Sequence, residues 1–294
     1  MAKSKVYFTK NITPESVVKM YQLLDKELDG KVAVKVHSGE KGNQNYLHPE
    51  FMRPMIEYLN GTVVECNTAY SGQRNTTEKH KKLMEEHGWA KYFDVDIMDA
   101  EGEDLVLPIK NGIVIKENYV GAGLKKYNSM LVLSHFKGHP MGGYGGALKR
   151  LSIGVASSAG KAWIHSGGKV KDQNILWQNC AEQEKFLEAM AESAGSVVDY
   201  FKGNIAYINV MCNMSVDCDC CAKAEDPCMK DIGILSSLDP VALDQACIDM
   251  VYNSNDKGKS HLIERIESRK GVHTIEHAET LGVGSREYEL INVD

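Results

Sequence analysis

The chain has 294 residues, 43% of them hydrophobic and 25% charged, with a net charge of −6 and a mean hydropathy of −0.32. That balance fits a globular chain long enough to bury its own core without disulfide staples. It excludes a membrane-spanning class, since no apolar run approaches about 18 residues, and it disfavours general nucleic-acid binding, which needs a basic stripe.

The N-terminal stretch MAKSKVYFTKNITPE lacks the apolar core of a signal peptide, so a cytoplasmic location is expected. Lys31–Val36 alternates polar and apolar residues and predicts a strand. Pro49 opens a helix through Leu59, and Gly61–Cys66 is the next strand. Asn75 is placed to cap a helix running to His87, with Gly88 ending it. Leu105–Leu107 and Ile113–Ile115 read as a pair around an Asn111-Gly112 turn. Ser129–Ser134 is continuously apolar at its centre, as a buried central strand would be. A helix over 179–200, strands over Ile205–Val210 and Ile232–Leu235, and a helix from Asp239-Pro240 to about Val251 follow. Two more helices, 259–268 and 273–281, precede a last strand, Glu287–Val293. Strands alternating with helices imply a layered α/β fold with a mixed, mostly parallel sheet and helices on both faces. No linker or repeat interrupts residues 1–294, which read as one domain. Ligands of such folds sit in the loops after the strands.

Those loops hold the chemistry-bearing residues. After the first predicted strand comes His37-Ser38-Gly39-Glu40-Lys41-Gly42-Asn43, where an imidazole, a carboxylate and a cation meet around two glycines. After the second comes Cys66 to Asn75, with Asn67 and Arg74, whose planar fork suits a carboxylate or phosphate. The richest run is His135 to Arg150. It carries Lys137, His139, Lys149 and glycines at 142, 143, 145 and 146, and leads toward a helix start that favours anions. It is neither a Walker A motif nor a dinucleotide fingerprint. Lys161 and His165 add a further cation and imidazole. Each loop also has the plainer reading of solvated or capping polar residues.

Five of the eight cysteines, Cys212, Cys218, Cys220, Cys221 and Cys228, fall within 17 residues. Without an export signal, clustered thiols point to metal binding or redox chemistry rather than disulfides. The spacing matches neither a zinc knuckle nor a ferredoxin. Cys218 and Cys220 would face one side of an extended segment and could chelate one ion, with Asp217 or Asp219 nearby. The alternative is packing as small reduced hydrophobes.

Taken together, the segments 35–43, 67–70, 138–149, Gly160-Lys161 with His165-Ser166, Asp217-Cys218-Asp219-Cys220, and Asp231–Leu235 running to Asp239–Ala242 resemble the DUF362 family, whose members are often labelled iron–sulfur centre proteins. The ferredoxin-like cysteine insert that many relatives carry after His165-Ser166 is absent, and Arg150 stands where the family pattern has Asn. The resemblance carries over Cys218 and Cys220 as thiol ligands and leaves Cys221 and Cys228 outside the pattern.

The resulting expectation is a metal-binding, redox-capable protein with a cationic, glycine-rich pocket for a small anionic ligand. Cys218, Cys220, His135 and His165 are the candidate ligands of iron, an iron–sulfur cluster or zinc. The candidate anion-binding residues are Glu40, Lys41, Asn43, Asn67, Arg74, Lys137, Gly143, Gly145, Gly146 and Lys161. His37, His139 and Lys149 are the candidate catalytic groups. One alternative is a metal-independent enzyme using His/Lys acid–base chemistry on a small carboxylate or phosphate; another is a non-catalytic binding or scaffold protein. Neither nucleic acid nor membrane is an expected partner.

Overall fold

The computed structural model describes residues 3–294. Among the described residues there are twelve strands: β1 (Ser4–Thr9), β2 (Val32–Lys35), β3 (Thr62–Glu65), β4 (Val95–Ile97), β5 (Asp104–Pro108), β6 (Glu117–Gly121), β7 (Ser129–His135), β8 (Lys137–His139), β9 (Gly143–Gly145), β10 (Ile205–Met211), β11 (Gly233–Ser237) and β12 (Tyr288–Asn292). Ten α-helices accompany them: α1 (Pro14–Gln22), α2 (Pro49–Tyr58), α3 (Thr77–Glu86), α4 (Trp89–Tyr92), α5 (Ala147–Leu151), α6 (Ser158–His165), α7 (Gln183–Phe201), α8 (Pro240–Asn253), α9 (Lys259–Ser268) and α10 (Val272–Thr280).

Eight strands form one sheet in the order β12-β1-β11-β10-β7-β2-β3-β4. From β10 through β4 every neighbour is parallel, and β12 runs parallel to β1; only β11 is antiparallel to both its neighbours. The fold is therefore α/β with a mostly parallel sheet.

Side-chain alternation along the strands builds two cores. Val32, Val34, Leu131, Leu133, Ala206 and Ile208 pack on one face with Val17 and Met20 of α1 and Met52 and Met55 of α2. Ala33, Met130, Val132, Ile205 and Tyr207 pack on the other with residues of α5, α7, α8, α9 and α10. Helices thus cover both faces, and the central strands are buried throughout, as their unbroken apolar character requires. Among the described residues, no helix is long and apolar enough to cross a membrane.

Two local expectations are corrected. Thr76, not Asn75, caps α3: its side chain accepts from Lys79 N. And Leu105–Leu107 pairs not with Ile113–Ile115 but with the next segment, β6, in the register Val106↔Tyr119. The backbone N–H groups of Ile113, Val114 and Ile115 turn instead to the buried carboxylate of Glu192, at 2.5, 3.0 and 2.8 Å. A side chain 77 to 79 residues away thus outcompetes the ladder that the local alternation suggested. The helix α6, with Ser157 as N-cap, was not anticipated, because its Gly-Lys-Ala-Trp centre carries no clear period.

Candidate functional site

The parallel strands β2, β3, β7 and β10 all end on the same edge of the sheet, and their following loops meet there. His37 follows β2, Cys66, Thr68, Tyr70 and Arg74 follow β3, Lys149 and Arg150 lie beyond β7, and Cys220 lies beyond β10. Together with Glu65, Ile153, Gly154 and Lys161 of α6 they line one cavity of about 30 Å³. This is the position that strand ends of open α/β sheets create for ligands.

A thiolate centre forms one wall. Lys149 Nζ donates to Cys218 Sγ at 3.2 Å, and Cys220 N donates to the same sulfur at 3.4 Å. Burial alone would push the Cys218 thiol up. The hydrogen bond from Cys220 and the charges of Lys149 and Lys137 outweigh it and hold Cys218 well below the ordinary thiol range. Cys220 moves the opposite way, raised by its hydrogen bonds to Cys218 and Cys221 and by burial. These surroundings favour negative charge on Cys218 over Cys220. The donor atoms of His139, Cys218 and Cys220 all lie within 4.8 Å of one another, a grouping that could hold a metal ion.

His139 Nδ1 accepts from Met141 N at 3.2 Å and Gly142 N at 2.8 Å, so the neutral ring carries its proton on Nε2. Burial, with Lys149 adding to it, lowers the His139 pKa to about 4 and keeps the ring neutral.

Of the other three clustered cysteines, two lie apart. Cys228 Sγ donates to Met214 O, and Cys212 belongs to the opposite core, its thiol pushed up to about 12 by burial. Cys221 is next to Cys220 but outside the close grouping. Among the described residues no four thiols surround one point, so the donor set does not fit the four-thiolate ligation of an iron–sulfur cluster. The two thiols suit a single zinc-like ion, and the His139 imidazole could complete the set only if the Met141 and Gly142 N–H groups turned away from Nδ1.

The remaining wall is a network of buried ions. Lys35 Nζ donates to Glu65 at 2.5 Å, and Glu65 also accepts from Ser38 N at 2.9 Å. Burial would raise Glu65, but Lys35 and Arg74 hold it at about 2. Arg74 Nε donates to Glu40 at 3.3 Å. Asp219 accepts from His135 Nδ1 at 2.8 Å and pairs with Lys137 at 2.9 Å.

The structure places the residues singled out from the sequence as follows. His37, Arg74, Lys149 and Lys161 line the cavity, and His139 with Cys218 and Cys220 forms the thiolate group. Glu40 positions Arg74. Asn43 is spent on the backbone, donating to Cys218 O and Cys221 O and so holding the cysteine loop. Asn67 donates to Thr77 and faces His80. Lys41 is turned away, its side chain 60% exposed and paired with Glu86.

His135 is not available as a ligand, since Asp219 and Cys212 O engage both of its ring nitrogens. His165 stacks on Phe186 at 4.7 Å and meets Tyr70 OH at 3.3 Å, outside the thiolate group. The glycine run is not an open anion nest either. Gly143 and Gly145 form β9, Gly143 abuts Gly271, and Gly146 precedes α5. The anion at that helix start is the chain's own Asp244, which accepts from Ala147 N and Leu148 N at 2.8 and 2.9 Å.

Glu65 lies outside the sequence candidates, and Arg150, which closes the richest run, is not among the anion-binding residues expected from it. Arg150 had a signal: two adjacent cations, Lys149-Arg150, inside an otherwise small and apolar run from Gly145 to Ala156.

Fold and site together define an α/β protein with a buried thiolate beneath a cation-lined cavity. The chain belongs to the DUF362 family, a domain of unknown function whose model matches residues 32–249. No curated protein matches it. Among solved structures it is similar to the lactate racemase apoprotein from Thermoanaerobacterium thermosaccharolyticum, at 13% identity and TM-score 0.40, over 70% of this chain and 50% of that one. It is also similar to a protein from Thermotoga maritima, at 10% identity and TM-score 0.46, over 82% of this chain and 59% of the other. The chain thus spans half to three-fifths of the length of these two structures.

Proposed function

We propose that Cys218 and Cys220 anchor a single metal ion, joined by His139 once the Met141 and Gly142 N–H groups turn away and Nδ1 can take the ring proton in place of Nε2, and that the adjoining cavity binds a small anionic ligand. The close grouping of these three donors beside the cavity carries the reading. Cys220 both belongs to the grouping and lines the cavity, so an ion there would lie within reach of a bound ligand. A bound ion would act as a Lewis acid on a ligand oxygen. The chain's own residues supply the rest: Lys149 hydrogen-bonds the ligating sulfur, Asn43 fixes the cysteine loop, and Arg74 lends positive charge.

A second reading has a specific observation in its favour. With Nδ1 taken up by two backbone donors, His139 offers a proton rather than a lone pair through Nε2. Metal-independent proton transfer by His139 and Lys149 on a small carboxylate or phosphate would use that arrangement directly.

Metal analysis of anaerobically purified full-length protein separates the two. The metal reading expects about one equivalent of zinc or iron, lost in the Cys218→Ser/Cys220→Ser double variant and kept in Cys212→Ser. Equal metal content in the double variant, or none in the wild type, sinks it and leaves the proton-transfer reading.

A further inference from the structure

Four of the six cations in the buried network have a partner anion: Lys35 with Glu65, Arg74 with Glu40, Lys137 with Asp219 and Lys149 with Cys218. Arg150 has only a distant one, shared with Lys137, and Lys161 has none. The Arg150 guanidinium, almost wholly buried, donates no hydrogen bond among the described residues; its Nε is without a partner and its nearest carboxylate, Asp219, stands 3.9 Å away. Lys161, equally buried, donates to the Ala156 carbonyl at 2.5 Å and reaches no carboxylate within salt-bridge distance. Both line the same cavity. Buried guanidinium and ammonium groups without counter-charges are costly, and a site that keeps two of them facing one space is built to receive an anion.

The size of the space narrows the class. About 30 Å³ accommodates on the order of two water-sized groups. That is room for the two oxygens of a carboxylate. The planar fork of arginine presents its donors in the geometry a carboxylate accepts. Arg74 and Lys149, each with its own partner, and Glu65, paired with Lys35, also line the space, beside the apolar Cys66 and Ile153.

We propose that the cavity receives the carboxylate of a short organic acid, held between Arg150 and Lys161. The inference rests on the anion-pocket half of the reading above and is independent of the metal.

Calorimetric titration of the full-length protein tests it, with acetate and glycolate as probes against inorganic phosphate and chloride at matched ionic strength, before and after chelator treatment. The expected result is saturable binding of the carboxylates only, persisting after chelation. Arg150→Gln and Lys161→Met should each weaken it about tenfold or more, and Lys41→Gln should leave it unaltered. Should Arg150→Gln fail to fold, Arg150→Lys, which keeps the charge and loses the fork, decides in its place. Phosphate binding as tightly as acetate overturns the carboxylate assignment alone. Binding by no anion overturns the pocket as well. Unaltered acetate binding in the Arg150 variant overturns the residue assignment. The metal content of the chelated sample reports separately on the ion.

Discussion

Lys149 Nζ lies 3.2 Å from Cys218 Sγ across 69 residues of sequence, a buried ammonium–sulfur pair at the wall of the cavity. The lysine comes from a helix on one face of the sheet and the cysteine from the loop after β10, so the pair forms only when the sheet edge is assembled. As the outer partner of a ligating sulfur, Lys149 should set how tightly an ion is kept. Lys149→Met is expected to weaken metal retention about 10- to 100-fold in chelator competition, with partial recovery in Lys149→Arg. Retention equal to wild type in Lys149→Met would remove this role.

Glu65 ties Lys35, Arg74 and Ser38 into the floor of the cavity. Its carboxyl is held at about 2, below its usual 4.5, so the stability it contributes is complete above pH 4.5 and is lost as pH falls toward 2. Urea unfolding of Glu65→Gln at pH 7 should show a loss of about 3–5 kcal/mol, because Lys35 is left buried without its anion. The variant should also lose part of the wild-type acid sensitivity between pH 4.5 and 2, and an unchanged acid profile would count against the pair.

Glu192 fastens the segment 113–115 by its N–H groups and also meets His277 Nε2 at 3.2 Å. Glu192→Ala leaves those donors without an acceptor, at a cost of about 2–4 kcal/mol. Limited proteolysis should then cut between Ile109 and Glu117, where the wild type resists. An uncut segment would mean that packing of Ile109 and Ile115 alone secures it.

Gly160 lets α6 lie directly on β6: a Cβ there would collide with the Tyr119 carbonyl oxygen. Gly160→Ala should therefore displace α6 and with it Lys161. The expected outcome is a loss of several °C in Tm together with weaker acetate binding, in contrast to a surface variant such as Lys41→Gln.

Much of the fold was legible because the strands advertise themselves. Ser129–Ser134 is apolar enough to sit only at the centre of a two-faced sheet, and Asp239-Pro240 caps and opens α8 as its chemistry dictates, accepting from Val241 N and Ala242 N. The loops after β2, β3, β7 and β10 were legible as candidates, since histidine, lysine and cysteine crowd there. The pairing within them was not. Whether His135 offers a free nitrogen depends on Asp219 lying 84 residues away, and whether the glycines before α5 form an open nest depends on Asp244 filling it. Contacts at such separations leave no trace in local spacing. The Ile113–Ile115 segment failed for the same reason, its donors being claimed by Glu192.

The place of β1 in the sheet bears on how the molecule comes to be made. The earliest of the described strands lies between β11 and β12, both of which leave the ribosome long after it. Its neighbours do not yet exist while α1, α2 and the central strands are being synthesised, and its apolar Val6 and Phe8 must wait for them. Pairing over such separations is slow and leaves strand edges open in the meantime. Efficient production of this protein should therefore depend on chaperone capacity and on slow synthesis at low temperature more than on its final stability.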